Sequence, residues 1–227
     1  IAVAIIVFII IMVFAVPMFV TTFMELGTDL PWITKAMIAA SDFFLTKWWL
    51  LLLVVAIIVL VYILYSRTET GKRTLADFSL NKSPFSDLIS MSASKDYAMT
   101  MAMLLAAGLP VNKALESTKK VVSNYIYSMA ISEVKDKVEQ GRSISQAMKE
   151  NSVFPTMLIE MSAVGESSGS LEETYEVVGD YFANEVDIKA NRLLALMEPI
   201  ITLFITIFVV VLLMAVYLPM FSMYGEL

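Results

Sequence analysis

Three apolar stretches without a single charged residue constrain this chain more than any other feature of its sequence. They are Ile1–Met24, Trp48–Ser66 and Pro199–Gly225. As helices, the spanning parts of the second and third stretches reach about 27–30 Å, which is the thickness of a hydrocarbon core. The second stretch has Trp48 and Trp49 at one end and Tyr62 and Tyr65 at the other, and Tyr217 lies near the end of the third. Such aromatic residues are typical of the membrane–water interface. The sequence therefore predicts an all-α membrane protein with transmembrane helices at 1–24, 48–65 and 199–220.

The amino-acid composition supports a membrane location and excludes sites that depend on Cys or His. Hydrophobic residues make up 58% of the chain and charged residues 17%, whereas soluble domains average about 45–50% and about 25%. The absence of His and Cys excludes disulfides, thiolate nucleophiles, Cys/His zinc sites and His-based acid–base catalysis. A formal net charge of −6 argues against a nucleic-acid partner, which requires a basic surface.

The first apolar stretch has an alternative interpretation as a secretory signal peptide, in which cleavage would be expected around Ala15-Val16-Pro17. No basic segment precedes it, however, and it is longer than the apolar core of a signal peptide. Because the chain begins at Ile1 without an initiator Met, we interpret it as a piece of a longer protein cut at the start of a membrane helix.

Basic residues predict the topology. Four Lys or Arg residues lie between 67 and 82 and two more just before the third stretch, whereas acidic residues outnumber basic ones in 25–47. The positive-inside rule therefore places 66–198 in the cytoplasm, and the loop 25–47 and the tail 221–227 outside. Within the cytoplasmic block, 66–85 is predicted as a polar, turn-rich linker, 86–190 as a helical bundle and 191–198 as the approach to the membrane.

Glycines and prolines mark most of the breaks that divide the predicted bundle into six helices, because glycine favours helix ends and proline the first turn of a helix. The predicted structural turns are Gly108, Pro110, Gly141, Pro155, Gly165, Gly169 and Pro199. After Gly179, no Pro or Gly-Gly break occurs until Pro199, so the helix that begins at Leu171 is predicted to run directly towards the third apolar stretch. Alternation of period two, which indicates strands, is absent.

None of the candidate catalytic motifs in the sequence matches the pattern that its chemistry requires. An intramembrane aspartyl peptidase requires Gly-x-Gly-Asp, but Val177 replaces the first glycine before Gly179-Asp180, and no second Asp lies in a membrane stretch. The Gly165–Gly169 segment lacks the Lys and the spacing of a phosphate-binding loop. Ser94-Lys95 are adjacent and therefore point to different faces of a helix. The sequence predicts no catalytic, cofactor or metal site.

Acidic residues are the candidate binding residues. On the helix from Leu171, Glu172, Glu176 and Asp180 recur every fourth position, which makes either a solvated face or a docking surface for a basic partner. Glu198, at the membrane edge, either marks the boundary or faces a partner. The predicted partner-contacting residues are Glu166, Glu172, Glu173, Glu176, Asp180 and Glu198.

Short fragments in a fixed order resemble the inner-membrane platform proteins of type II secretion and type IV pilus assembly, the GspF/PilC family. Each fragment is weak alone, but their order and spacing extend over nearly the whole chain. They include Val16-Pro17-Met18-Phe19, Gly27-Thr28-Asp29-Leu30-Pro31, Ala107-Gly108-Leu109-Pro110, Gly141-Arg142-Ser143-Ile144-Ser145-Gln146-Ala147, Phe154-Pro155, Gly165-Glu166-Ser167-Ser168-Gly169-Ser170-Leu171, Glu185-Val186-Asp187, Glu198-Pro199-Ile200 and Leu218-Pro219-Met220-Phe221.

This resemblance implies a non-enzymatic, multi-pass protein of the cytoplasmic membrane that carries the second of two related six-helix cytoplasmic domains, here an antiparallel six-helix bundle. It implies as partners a hexameric assembly ATPase, in some systems a retraction ATPase, pilin or pseudopilin subunits, other inner-membrane assembly proteins, membrane lipid and further copies of the chain. The alternative from another class is a transporter or channel subunit, which needs ionisable residues in mid-membrane and broken helices along a path.

Overall fold

The computed structural model describes residues 46–225 and, before them, positions 39, 42 and 43. Regular structure in this part of the chain is helical throughout and contains no strand, as the sequence predicted. The chain forms two compact units: one is Tyr62–Leu193, and the other comprises the described residues of Ile1–Val61 and Leu194–Leu227. The predicted membrane helix at 1–24 and most of the predicted loop 25–47 lie outside the described residues.

Eight α-helices and one π-helical segment follow each other in the described part of the chain. The α-helices are α1 (Trp48–Arg67), α2 (Glu69–Asp77), α3 (Ser86–Ala106), α4 (Val111–Val121), α5 (Tyr125–Glu139), α6 (Ile144–Lys149), α7 (Thr156–Ser168) and α8 (Leu171–Gly225); the π-helix, Phe78–Lys82, continues α2. Between α3 and α8, five of the glycines and prolines predicted as turns lie within two residues of a helix end: Gly108, Pro110, Gly141, Pro155 and Gly169.

Local signals define these ends. The Asn124 side chain accepts hydrogen bonds from the amides of Ile126 and Tyr127 at 3.0 and 3.2 Å, which caps α5. Three glycines, each just past a helix C-terminus, have left-handed φ angles that L side chains rarely adopt. They are Gly108 at 78°, Gly141 at 87° and Gly169 at 73°.

Two predicted turns are wrong. Gly165 lies inside α7, where its missing side chain admits α8: a Cβ there would lie 3.1 Å from Leu171 Cα and from Thr174 Cβ. Pro199 lies inside α8, which continues through it to Gly225. Proline interrupts one backbone hydrogen bond but is tolerated in apolar helices of membrane proteins.

The predicted turn-rich linker 66–85 is also wrong for most of its length, because residues 69–82 are helical. Thr68 caps α2 by accepting from the Gly71 amide at 3.1 Å. Gly71 allows a close approach at this bend, since a Cβ there would lie 1.8 Å from the Tyr65 carbonyl oxygen. Tyr125 then donates a 2.6 Å hydrogen bond to Glu69. This contact with α5 is tertiary, and the polar composition of the segment did not reveal it.

Within the described residues, Leu171–Val211 is the one helix long and apolar enough to cross a membrane, judged by length and composition. A second candidate exists if Leu52–Arg67 and Glu69–Lys82, which are bent by 103° at their junction, form one span. The predicted membrane helix 48–65 falls within α1, and 199–220 falls within α8.

The core of the Tyr62–Leu193 unit combines apolar packing with buried hydroxyl groups. Tyr97, Tyr127 and Tyr175 are fully buried. The Tyr175 hydroxyl lies 3.0 Å from Ser162 Oγ and 3.3 Å from the Tyr97 hydroxyl. Because buried polar groups are costly without partners, these contacts favour a single arrangement of α3, α7 and α8.

Thr118 is an exception, because its hydroxyl is buried and has no hydrogen-bond partner among the residues that the structure describes. We expect Thr118→Val to raise the free energy of unfolding by about 1 kcal/mol, since it removes an unsatisfied polar group and keeps the shape of the side chain. Thermal unfolding in detergent, followed by circular dichroism, measures the change. The matched control is Ser94→Ala, which removes a hydroxyl 2.8 Å from that of Tyr127 and should lower stability. A loss of stability in Thr118→Val would contradict this account.

Burial of these tyrosines also makes the free energy of unfolding fall at alkaline pH. Burial raises the pKa of Tyr175 from 10.0 to about 12, and it raises the pKa of Tyr97 and of Tyr127 as well. Between pH 10 and 12 the unfolded chain therefore holds fewer protons than the folded chain. The contribution of the protonated Tyr175 to the free energy of unfolding is therefore complete below pH 10 and is lost as the pH rises towards 12.

We expect Tyr175→Phe to flatten this alkaline decline in the free energy of unfolding, by about 2–3 kcal/mol between pH 9 and 12. Denaturant titrations across that range measure the decline. Tyr65→Phe, which removes a hydroxyl from an exposed tyrosine outside the core, is the control for the loss of one hydroxyl. Identical slopes for the two variants would show that Tyr175 does not contribute.

Candidate partner-binding surface

Four of the predicted binding residues lie together on the exposed side of α8. We name Glu172, Glu176 and Asp180 the acidic ridge; Glu173 lies beside it. All four side chains are exposed, and none of them forms an ion pair within the described part of the chain. The ridge therefore presents uncompensated negative charge, which complements a basic surface.

Packing against α3 determines that this side of α8 faces outward. Tyr175 and Val178 are fully buried, and the Tyr175 ring packs edge-on against Tyr97 with 5.6 Å between ring centroids. Gly179 brings the two helices close, because a Cβ there would lie 2.9 Å from Met99 Cγ and 3.3 Å from its backbone nitrogen. With these residues directed inward, the ridge residues are left on the surface.

Charge is unevenly distributed around the ridge. From residue 151 to 188 the sequence contains eight acidic residues and neither Lys nor Arg. The next basic residue, Lys189, bonds to Asp87 of α3 at 3.0 Å. In contrast, Glu150 pairs with Lys137 and Arg142, and its hydrogen bond to Lys137 is the main cause of its lowered pKa. Glu150 is thus neutralised by basic side chains of its own unit, whereas the ridge residues have no such ion pairs within the described part of the chain.

Glu166, a fifth predicted binding residue, has an internal role. Its carboxylate accepts hydrogen bonds from the backbone amides of Ile144 and Ser145 and from the Ser145 hydroxyl, the last at 2.6 Å. These amides belong to the first turn of α6, where free N–H groups and the helix dipole favour a negative charge. The carboxylate therefore ties α7 to α6. A further contact of Glu166 with a partner stays a prediction.

Glu198, the sixth predicted residue, lies on α8 in the other compact unit. It is exposed and lines a shallow notch of about 510 Å³. The other residues around this notch are Ala195, Pro199, Thr202, Leu203 and Thr206. The Thr206 hydroxyl donates to the Thr202 carbonyl at 2.8 Å, which is the intrahelical bond expected of threonine in an apolar helix.

Sequence reasoning missed a polar cleft of about 740 Å³ between α2 with its π-helix, the start of α5 and residues 151–153. Arg73, Asp77, Tyr125 and Glu133 line it, together with Asn151, whose amide nitrogen is buried and has no hydrogen-bond partner in the described part of the chain. No local signal marked this cleft, because one wall belongs to the segment predicted as a linker. Among the described residues, no cluster of acidic side chains could hold a metal ion.

Comparison with known proteins adds independent information. The family profile described as "Type II secretion system (T2SS), protein F" matches residues 97–219. The chain is 36% identical over 222 residues to the type IV pilus assembly protein PilC of Pseudomonas aeruginosa, covering 97% of this chain and 59% of that protein. It is 30% identical over 213 residues to PilC of Thermus thermophilus, covering 93% and 52%.

A secretion protein is also similar: the type II secretion system protein F of P. aeruginosa is 27% identical over 211 residues, covering 92% of this chain and 52% of that protein. The chain thus spans between half and three-fifths of the length of these relatives.

The contacts of Glu166 predict a structural effect. We expect Glu166→Gln to lower the free energy of unfolding by about 1–3 kcal/mol, because the amide removes the charge and one acceptor from the α6 amides. Thermal unfolding in detergent measures the loss. Glu160→Gln, at an exposed position of the same helix, is the matched control and should change stability little. Equal stability of both variants would contradict the assigned role.

Proposed function

Because this chain belongs to the type II secretion system protein F family, we propose that it acts as a platform protein in the cytoplasmic membrane, within a type IV pilus or type II secretion machine. The match of the family profile over residues 97–219 carries this proposal, and relatives named for pilus assembly and for secretion support it. Members of the family are structural, non-enzymatic components of such machines.

The proposed arrangement has three membrane helices and a cytoplasmic domain. Helices α3 to α7 and the first part of α8 form an antiparallel six-helix bundle in the cytoplasm, and the C-terminus lies outside. The predicted spans at 48–65 and 199–220 fall in helices α1 and α8, which supports two of the three. The distribution of Lys and Arg supports the orientation.

The acidic ridge is the proposed docking surface for the hexameric assembly ATPase. Its carboxylates are exposed and lack internal partners in the described part of the chain, and complementary charge increases the rate and specificity of association. The apolar part of α8 is the proposed contact for pilin or pseudopilin subunits. Since α8 runs from Leu171 to Gly225 without a break, we propose that it transmits displacement from the ATPase to the membrane.

Charge reversal tests this docking surface. We expect Glu172→Lys, Glu176→Lys and Asp180→Lys, combined in one variant, to reduce copurification of the cognate assembly ATPase by about tenfold or more, because attraction becomes repulsion at three positions. The circular dichroism spectrum and the melting temperature should stay close to those of the unmodified chain, since all three side chains are exposed.

The matched control reverses three exposed acidic residues elsewhere in the same unit, Glu116, Asp136 and Glu160, and should retain the ATPase. If both triple variants bind the ATPase as the unmodified chain does, the docking surface is wrong. If the unmodified chain itself does not bind the ATPase and instead conducts ions or solutes in liposomes, a channel or transporter role replaces the platform role.

A further inference from the structure

Helix α8 carries a second exposed stripe beside the acidic ridge. Val177, Tyr181, Asn184, Ile188 and Asn191 follow one another at spacings of four, three, four and three residues. All five are exposed, and Val177, Tyr181 and Ile188 expose 56%, 40% and 54% of their surface. We name this stripe the α8 seam. It lies entirely within the Tyr62–Leu193 unit.

The seam is separate from the face that packs into the core. Core packing uses Tyr175, Val178 and Phe182, whose exposure is 2% or less. At about 100° per residue, the seam is centred roughly 130° around the helix from that face. Positions at alternating spacings of three and four form the contact line of a left-handed coiled coil. The three apolar side chains on this line are therefore left without a partner helix among the described residues.

We propose that a second copy of this chain covers the α8 seam, so that two α8 helices form a parallel coiled coil. Identical chains inserted in one membrane have the same orientation, which makes their α8 helices parallel. In a parallel pair in register, each apolar side chain of the seam meets its own counterpart in the other copy. Their burial between the two helices is the driving force for this contact.

The two asparagines of the seam select the register. In the parallel pair, Asn184 meets Asn184 and Asn191 meets Asn191, and each amide can donate to and accept from its counterpart. A shift of one helix by seven residues would instead place Val177 against Asn184. Polar residues on a coiled-coil contact line favour one register in this way, at some cost in stability.

Charge complementarity supports the same occupant. Asp187 and Arg192 flank the seam, are exposed, and have no ion pair within the described part of the chain. They are five residues apart, which is too far for an intrahelical pair at three or four residues. Five is the spacing at which opposite charges meet across a parallel coiled coil. Two symmetric Asp187–Arg192 pairs therefore form in the dimer.

The pairing is strongest towards the C-terminal end of the seam. The preceding residues at the same spacing, Asp180 and Glu185, have like charges and repel each other across the dimer.

The sequence repeat itself continues beyond the unit with Ala195, Glu198 and Thr202 at spacings of four, three and four. The seam goes beyond the proposed platform role, because it assigns a surface for self-association that does not depend on the ATPase.

Disulfide cross-linking tests the seam directly. Because the chain contains no Cys, a disulfide between two chains can form only through the Cys that is introduced. We expect Tyr181→Cys, Asn184→Cys and Ile188→Cys, each in the full chain in isolated membranes, to give a band of twice the mass of the chain on mild oxidation. Identical residues meet along the whole seam only in a parallel dimer in register. Glu172→Cys and Glu176→Cys, which are exposed on another side of α8, are the controls and should stay monomeric.

Exchange of the charges at Asp187 and Arg192 gives a second test, which is measured by disulfide cross-linking of the Ile188→Cys variant. Asp187→Arg alone should weaken association by about tenfold, since it replaces two attractive pairs by two repulsive ones, and adding Arg192→Asp should restore it. Equal cross-linking at seam and control positions, no dimer band at any seam position, or a band that contains a protein of different mass would overturn the proposal. ATPase copurification is scored separately, so a failure of the seam and a failure of the docking surface are distinguishable.

Discussion

The close packing of α3 against α8 is the contact on which the other features depend. Gly179 lets α8 approach the backbone of Met99, and Tyr175 buries its ring and hydroxyl beside Tyr97. This packing fixes the rotation of α8 about its own axis. The same rotation leaves the acidic ridge and the α8 seam on the surface, so one apolar contact decides which side chains a partner can reach.

A second constraint is the cost of burying polar groups. Within the Tyr62–Leu193 unit, buried hydroxyls bond to one another, and Glu166 satisfies two backbone amides at the start of α6. Such directional contacts select one arrangement of the helices, whereas apolar packing alone tolerates several. A unit held in one arrangement, with a row of acidic side chains that form no ion pair within the described residues, suits a protein whose proposed role is mechanical.

The two exposed stripes of α8 are proposed to make two different contacts. The acidic ridge offers charge without exposed apolar area, which favours rapid and reversible association. The seam offers apolar side chains and asparagines at coiled-coil spacing, which favours an in-register contact with an identical helix. Because both stripes lie on one unbroken helix of 55 residues, the proposed ATPase contact and the proposed contact between copies belong to the same element.

The sequence by itself determined the helical class, the apolar stretches and most helix ends, because glycines such as Gly108 and capping residues such as Asn124 act through their own backbone neighbourhood. Only the tertiary structure decided that 69–82 is helical, that Gly165 serves close packing rather than a turn, and that Glu166 caps α6. Each of these depends on residues outside the local segment. Local propensity cannot report a hydrogen bond or a close approach whose second partner is supplied by the fold.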